Sequence, residues 1–196
     1  EGHWFGLTTR ARLIYTSKDR VEKGAVTRYE DLADPKWKGK VCTRSGTHVY
    51  QVALLASMIT HHGRDEAKKW LEGVKANLAR KPQGNDRAQV KAIMEGICDI
   101  ALGNNYYMGY MLSNEEQYPW AQSADLVFPN QDDRGTHVNI SGMALTKGAP
   151  NKENALKLMR FLADDLAQRM YSEQNHEYPV KAGVPWSGLL ESWGAF

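Results

Sequence analysis

The sequence alternates short apolar runs with longer amphipathic patterns, and this alternation constrains the fold more than any other feature. Residues 41–44 and 98–102 are compact apolar runs, which are typical of buried strands. The segments around them place apolar residues three or four positions apart, which is the spacing of a helix with one buried face. Strands that alternate with helices predict an α/β architecture.

Three helices are predicted between these two strands. One follows residue 48 and one covers residues 64–78. The third begins at Asp86, where Gln89 completes a capping box, and it ends at Gly96. The residues expected to be buried are Val49, Val52, Ala53, Leu55, Ala56 and Ile59, then Ala67, Trp70, Leu71, Val74 and Leu78, then Val90, Ile93 and Met94.

The rest of the chain continues the alternation. A short helix is expected after residue 107, and Pro119 is expected to break it. Strands are predicted at residues 126–128 and within residues 135–147. Asn151 is expected to cap a helix, and a further helix follows; their predicted apolar residues are Ala155, Leu158, Met159 and Leu162, then Leu166 and Met170.

Composition narrows the class of protein. The chain has 196 residues, of which 42% are hydrophobic and 24% are charged, so it can bury a core. The formal net charge of +2, with basic residues scattered among acidic ones, gives no indication of a nucleic-acid partner. No apolar run has the length of a membrane span, so we expect a globular protein that is not embedded in a membrane.

Tyr106 and Tyr107 are the strongest candidates for a functional site. They come shortly after the predicted strand at residues 98–102, at the junction between this strand and the next predicted helix. A phenolate is a hard anionic oxygen donor and suits a hard, highly charged cation such as ferric iron. The phenol has an ordinary pKa of about 10, so binding the metal and losing the proton would be one event. Packing of two aromatic rings is the alternative explanation.

Six segments follow one another along the chain: Arg10-Ala11-Arg12, RSGTHVYQ around Tyr50, RKPQGNDRAQ around Asn85, GNNYY, FPNQDDRGTHVNISGMAL, and EYPV from Glu177. In this order they resemble the periplasmic ferric-ion-binding proteins of bacterial iron-uptake ABC transporters, in the branch that supplies several tyrosines to the metal. The resemblance covers nearly the whole chain.

The resemblance implies a two-lobed, transferrin-like fold of the periplasmic-binding-protein type II, with doubly wound lobes. By position, residues 1–12 and 137–187 belong to the first lobe, and residues 13–136 and 188–196 belong to the second lobe. Because the chain begins at Glu1 without an initiator methionine, and such relatives carry about half a domain before this point, we expect a fragment. The first lobe is then incomplete, and a signal peptide and further ligands lie upstream.

The resemblance also implies the function and the site. We expect a periplasmic solute-binding protein, not an enzyme, that captures Fe(III) and delivers it to an inner-membrane ABC permease, and that is a monomer when full length. Tyr50, Tyr106 and Tyr107 are the implied metal ligands. A synergistic anion, such as carbonate, is expected to complete the iron shell, and the positions implied for it are Arg10, Thr47, Asn85 and Asn104.

The residues of the anion site have their own chemistry. Ser45, Gly46 and Thr47 precede the helix that carries Tyr50, and a helix N-terminus attracts small oxyanions. An ordinary helix cap is the alternative. His48 stands where relatives often have a small polar residue, so the identity of the anion stays open.

Cys42 and Cys98 occur in the two strand-like runs. In a doubly wound lobe these strands can be neighbours, and an oxidising periplasm would permit a disulfide. Two buried free thiols are the alternative.

Two other functions stay open at this stage. A carrier of the same fold could bind a small organic molecule or oxyanion without metal. A hydrolase or transferase could use the helix start at Thr47 to bind a substrate anion. Three converging phenols argue for the metal carrier, because neither alternative needs them.

Overall fold

The computed structural model describes residues 4–194 and 196, which form two compact units. Among the described residues, the smaller unit consists of residues 4–10 and 138–194. The larger unit consists of Ala11–His137 and Phe196. In the part of the chain that the structure describes, no helix is both long and apolar enough to cross a bilayer.

The sheet of the larger unit is built on strand β1, Phe5–Ser17, whose second half lies in this unit. Strand β3, Ile100–Asn104, and strand β4, Ala124–Val127, pair with β1 on its two sides, both antiparallel. Strand β2, Val41–Cys42, pairs with β3 in the parallel direction. The strand order is therefore β2-β3-β1-β4, which is the mixed sheet of an α/β unit.

Four helices belong to the larger unit. They are α1, Val49–Ala76, α2, Asp86–Met94, α3, Asn105–Leu112, and α4, Tyr118–Gln122. Helix α1 is interrupted at Gly63, whose φ of 78° lies in the left-handed region that glycine tolerates best. Two 3-10 turns, Glu30–Ala33 and Pro35–Trp37, precede β2.

The core of the larger unit lies between the sheet and α1. Its buried members include Ile14 of β1, Ile100 of β3 and Leu54 and Met58 of α1. Tyr29 also belongs to this cluster, and its hydroxyl donates a hydrogen bond to the carbonyl of Arg12. These contacts hold the first half of α1 against the middle of the sheet.

The smaller unit contains the first half of β1 and the remaining elements. Strands β5, Val138–Met143, and β6, Tyr178–Pro179, both pair with β1. The helices are α5, Lys152–Leu162, α6, Asp165–Met170, and α7, Gly188–Ser192, and a π-helical turn, Tyr171–Asn175, follows α6. Gln168 of α6 is buried and donates to the carbonyl of Leu7, which ties this helix to β1.

The structure decides between the two alternatives for the cysteines. Cys42 and Cys98 form a disulfide with a Cα–Cα distance of 5.9 Å, and both residues are buried. Cys42 is the last residue of β2 and Cys98 precedes β3, so the bond links the two parallel neighbours.

Several predicted buried faces were wrong. In the first half of α1, Val49, Val52 and Ile59 are exposed, and the buried residues are Leu54 and Met58, which were not predicted. In its second half, Ala67 and Val74 are buried, as predicted. Leu71 and Met94 are also exposed. Many positions of α1 are apolar, so the spacing alone permits several faces, and the contact with the core selects one of them.

Three predictions about the ends of helices also need correction. The residue that caps α2 is Asn85, not Asp86, because the side chain of Asn85 accepts a hydrogen bond from the amide of Ala88. Pro119 does not end α3 but lies in the first turn of α4, where its missing N–H costs nothing. Asn151 occupies the N-cap position of α5 without a side-chain cap bond.

None of the apolar residues expected to be buried in the last two predicted helices is fully buried, and Ala155, Met159 and Leu162 are half-buried. No side chain of α5 is buried, and Leu158, Leu166 and Met170 are exposed to 56%, 53% and 39%. The apolar spacing predicted these helices but could not predict their burial. Burial of an apolar face requires another packed element against it, and the described part of the smaller unit places none that covers these residues fully.

Two of the predicted domain boundaries lie close to the boundaries between the two units. The predicted changes at residues 12/13 and 136/137 lie within two residues of the boundaries at Arg10 and His137. The C-terminal segment differs, because α7 belongs to the smaller unit and only Phe196 groups with the larger one. The ring of Phe196 stacks on Phe128, which explains that grouping. The assignment of the units to lobes stays a prediction.

Candidate metal centre

Tyr106 and Tyr107 lie in the first turn of α3, immediately after β3. All five residues of β3 are buried, so the strand fixes the position at which this helix begins. The two rings pack with their centroids 4.3 Å apart. Tyr106 is 8% exposed, and its ring also makes an edge contact with Tyr110.

Tyr50 reaches the same place from a different part of the chain. It lies in the first turn of α1, and the Nδ1 atom of His48 caps this helix by accepting from the amide of Tyr50. The hydroxyl oxygens of Tyr50 and Tyr106 are 3.1 Å apart. The structure therefore brings the three predicted phenols into one cluster, here called the phenol cluster: Tyr50, Tyr106 and Tyr107.

The surroundings of Tyr106 favour the neutral phenol. Burial is the largest effect that raises the pKa of Tyr106 far above its ordinary value, and hydrogen bonds with Tyr107 and Tyr50 raise it further. Phenolates crowded together repel each other unless a cation lies between them. A metal bound here must displace protons, so its affinity depends on pH.

A buried charge cluster adjoins Tyr50. Asp86 is fully buried and accepts from Nη1 of Arg12 at 2.5 Å and from Nη1 of Arg44 at 3.2 Å. The Cζ atoms of Arg12 and Arg44 lie 5.8 Å and 5.3 Å from the centroid of the Tyr50 ring. The site therefore contains two guanidinium groups and one carboxylate next to a phenol.

The same charge cluster reaches the start of α3. The amide of Asn104 donates to Oδ2 of Asp86 at 3.0 Å, and Oδ1 of Asn104 accepts from Arg12 at 3.0 Å. Nη2 of Arg12 donates to Oε1 of Gln51, the residue after Tyr50. Both helices that carry phenols are thus bonded to this cluster.

The residues predicted for the anion occupy different environments. Thr47 is exposed just before α1, and its hydroxyl is 2.8 Å from that of Ser45. Asn85 uses its carboxamide oxygen to cap α2, and Asn104 is buried in the charge cluster. Arg10 belongs to the smaller unit, where it donates to the hydroxyl of Ser141.

Sequence reasoning missed four residues of the site: Arg12, Arg44, Gln51 and Asp86. One signal was available. Arg12 interrupts the run Ala11 to Tyr15, which is otherwise apolar, and a charge inside a buried strand requires an ionic partner. The partner itself could not be identified, because Asp86 is 74 positions away.

The phenol cluster is distinct from the commoner kinds of metal site. Among residues 4–194 and 196, no group of three or more His, Cys, Asp and Glu side chains is placed to hold a metal ion. Oxygen donors at this site come from tyrosine instead, and such donors suit a hard cation.

Comparison with known proteins identifies the family. The family described as bacterial extracellular solute-binding protein matches residues 1–188. The chain therefore belongs to the bacterial extracellular solute-binding proteins, and its fold is that of the type II periplasmic binding proteins, as predicted.

Individual relatives agree with this assignment. Iron uptake protein A1 of Synechocystis is 45% identical over 198 residues, which is 100% of this chain and 55% of that relative. A crystal structure of apo ferric ion-binding protein A from Pasteurella haemolytica has a TM-score of 0.95 at 57% identity, covering 99% of this chain and 61% of that one. A Trichodesmium protein in complex with iron and citrate has a TM-score of 0.93 at 46% identity, covering 98% and 62%. The chain thus spans little more than half the length of the curated relative.

Proposed function

We propose that this protein captures ferric iron in the periplasm and delivers it to an inner-membrane ABC permease. The single observation that carries the proposal is the phenol cluster, in which Tyr50 and Tyr106 are 3.1 Å apart and Tyr107 packs on Tyr106. The names of the relatives, which include an iron uptake protein and a ferric ion-binding protein, support it. The protein acts as a carrier and not as an enzyme.

Each phenol of the cluster supplies one hard oxygen ligand after losing its proton. The trivalent charge of the ion offsets the repulsion among the phenolates, and the released protons make capture weaker at low pH. The larger unit, Ala11–His137 with Phe196, is the proposed second lobe, which presents these ligands, and the smaller unit is the proposed remainder of the first lobe. The complete carrier is a monomer.

A small oxyanion completes the metal shell. The proposed anion contacts are Thr47 at the start of α1, Asn85, Asn104 and Arg10. The iron and citrate bound together in the Trichodesmium relative support an anion that accompanies the metal. Carbonate and citrate are both oxyanions that can bind a ferric ion through oxygen atoms.

The direct test is iron binding by variants that lose one oxygen. Tyr106→Phe and Tyr107→Phe keep the rings and their packing, so the fold survives while the ligand is lost. We expect the ferric affinity to fall by at least about 100-fold, the upper end of what a change outside the metal shell causes. The visible charge-transfer absorption of the iron-loaded protein should weaken or shift.

Tyr118→Phe is the matched control, because Tyr118 is 48% exposed and lies outside the phenol cluster. It should keep the parent's affinity and colour. If Tyr106→Phe and Tyr107→Phe bind iron as tightly as this control, a carrier of a metal-free solute becomes the better explanation.

The anion part is tested separately with Arg10→Ala. This variant should lose iron retention most strongly when carbonate is the supplied anion, and added carbonate should restore it only in part. An Arg10→Ala protein with the parent's anion dependence would remove Arg10 from the site.

A further inference from the structure

We propose that Asp86 is a positioning residue that holds the phenol cluster in register. It bonds directly to the N-cap residue of α3 and reaches the first turn of α1 through Arg12 and Arg44. This inference rests on the proposed function, because the cluster matters as a set of iron ligands. Asp86 is not proposed as a metal ligand, because both of its carboxylate oxygens already accept hydrogen bonds from Arg12, Arg44 and the amide of Asn104.

The first connection runs from Asp86 to Tyr50. The carboxylate binds the two guanidinium groups, through Oδ2 to Arg12 and through Oδ1 to Arg44. Both groups lie within 6 Å of the Tyr50 ring, at 5.8 Å and 5.3 Å, where a cation is attracted to the electron-rich face. Arg12 also donates to Gln51, so the first turn of α1 is held at two successive residues.

The second connection runs from Asp86 to Tyr106 and Tyr107. Asn104, at the N-cap position of α3, donates its amide to Asp86 and accepts from Arg12 with its side chain. The carbonyl of Asn104 accepts from the hydroxyl of the buried Tyr15 at 2.6 Å. The residue before the tyrosine-bearing turn is therefore fixed on both its N–H and its C=O.

Burial gives these bonds their importance. Asp86 has 0% and Arg12 3% of its side chain exposed, and a buried charge is costly unless it is paired. Without the carboxylate, Arg12 and Arg44 would repel each other, and both would oppose a trivalent cation held by Tyr50. The two guanidinium groups would move apart, and this movement would shift Tyr50 relative to Tyr106.

The test compares two carboxylates that have the same kind of partners. Asp86→Asn removes the charge but keeps the size of the side chain. Asp99→Asn is the matched control, because Asp99 is 8% exposed and also binds two cations, Arg20 at 2.6 Å and Lys40 at 3.2 Å, at the other end of β3. Both variants are loaded with ferric nitrilotriacetate and compared in ferric affinity, in the position of the visible charge-transfer band, and in thermal midpoint.

We expect Asp86→Asn to weaken ferric affinity by roughly 10- to 100-fold and to shift the charge-transfer band, as outer-shell changes do. Asp99→Asn should lower the thermal midpoint but keep the affinity within about twofold, and its band should stay unchanged. Equal losses of affinity in the two variants, with both bands at the parent's position, would overturn the inference.

If Asp86→Asn does not fold, the variant Arg44→Met tests the positioning role of Asp86 instead. Arg44→Met removes one guanidinium and leaves the Arg12–Asp86 pair intact. Loss of the contact between Arg44 and the Tyr50 ring should shift the band and weaken affinity. Arg44→Lys should recover part of the loss, because a cation again links Asp86 to the ring, although without the planar fork. Parent-like affinity and colour in Arg44→Met would overturn the inference.

The two proposals fail in different ways. If the parent protein takes up no ferric iron, or if Tyr106→Phe loses none, the iron-binding function is wrong. If Tyr106→Phe loses iron while Asp86→Asn and Arg44→Met retain it, the function stands and only the positioning role of Asp86 is wrong.

Discussion

The hydroxyl oxygen of Tyr50 lies 3.1 Å from that of Tyr106, although 56 positions separate the two residues in the sequence. The reason is the pairing of β2 with β3. These strands are parallel neighbours, with Val41 opposite Ile100, so the helices that follow them begin at the same edge of the sheet. That edge is the usual place for ligands in open α/β sheets.

Tyr50→Phe should therefore weaken ferric binding as strongly as Tyr106→Phe, while the fold stays intact. The variant loses the part-buried hydrogen bond with Tyr106, and a bond of this kind contributes about 1 kcal/mol to stability. Competition with citrate measures the affinity, and urea unfolding without iron measures the stability. A Tyr50→Phe protein with full affinity would show that the pair at 3.1 Å is a packing contact alone.

Reduction of the disulfide should destabilise the larger unit. Cys42 and Cys98 are separated by 56 positions, and closing a loop of this length is worth on the order of 4 kcal/mol in the chain-entropy model. We expect the midpoint of urea unfolding to fall when a reductant is present.

The double variant Cys42→Ala/Cys98→Ala is the control for this experiment. It should unfold at the lower midpoint whether or not the reductant is added. If the reductant lowers the midpoint of this variant as much as that of the parent, the effect does not come from the disulfide.

Stability should fall in acid through Glu30. Partial burial raises the pKa of Glu30, but hydrogen bonds from Asn130, Arg134 and His62 outweigh it, and the pKa falls from 4.5 to about 2. A carboxyl group whose pKa is lowered by folding stabilises the fold at pH values above its pKa in the unfolded chain. This contribution disappears as the pH drops from about 4.5 to about 2.

Because Glu30 is partly exposed, solvent screening reduces this contribution to roughly 1–2 kcal/mol. Urea unfolding of the iron-free protein at several pH values measures it. Glu30→Gln should be less stable at neutral pH and should show a flatter pH dependence in this window. Parallel curves for the parent and Glu30→Gln would contradict the assignment.

Gly103→Ala should destabilise the sheet next to the phenol cluster. A Cβ atom at Gly103 would lie 2.0 Å from Cε2 of Tyr15, which is fully buried and cannot move freely. Overpacking of this kind costs about 1–3 kcal/mol. Gly148→Ala is the control, because its Cβ would meet no atom within 4 Å. Thermal unfolding should separate the two variants, and equal midpoints would mean that Tyr15 yields at little cost.

The sequence by itself determined the local features of this protein. The position of Tyr106 and Tyr107 directly after a buried strand depends only on neighbouring residues, and the structure confirms it. The same holds for most of the helices and strands, whose periods are local. No element was predicted for residues 5–17, because Arg10 and Arg12 interrupt the apolar pattern of β1.

The tertiary structure decided which of these features meet. It brought Tyr50 to Tyr106, paired Cys42 with Cys98, and turned Leu54 rather than Val52 toward the core. It also gave Arg12 a buried partner in Asp86, which no local pattern could identify. The physical reason is that burial and pairing are relations between distant segments, and their energies depend on strand order and on the surface that each helix meets.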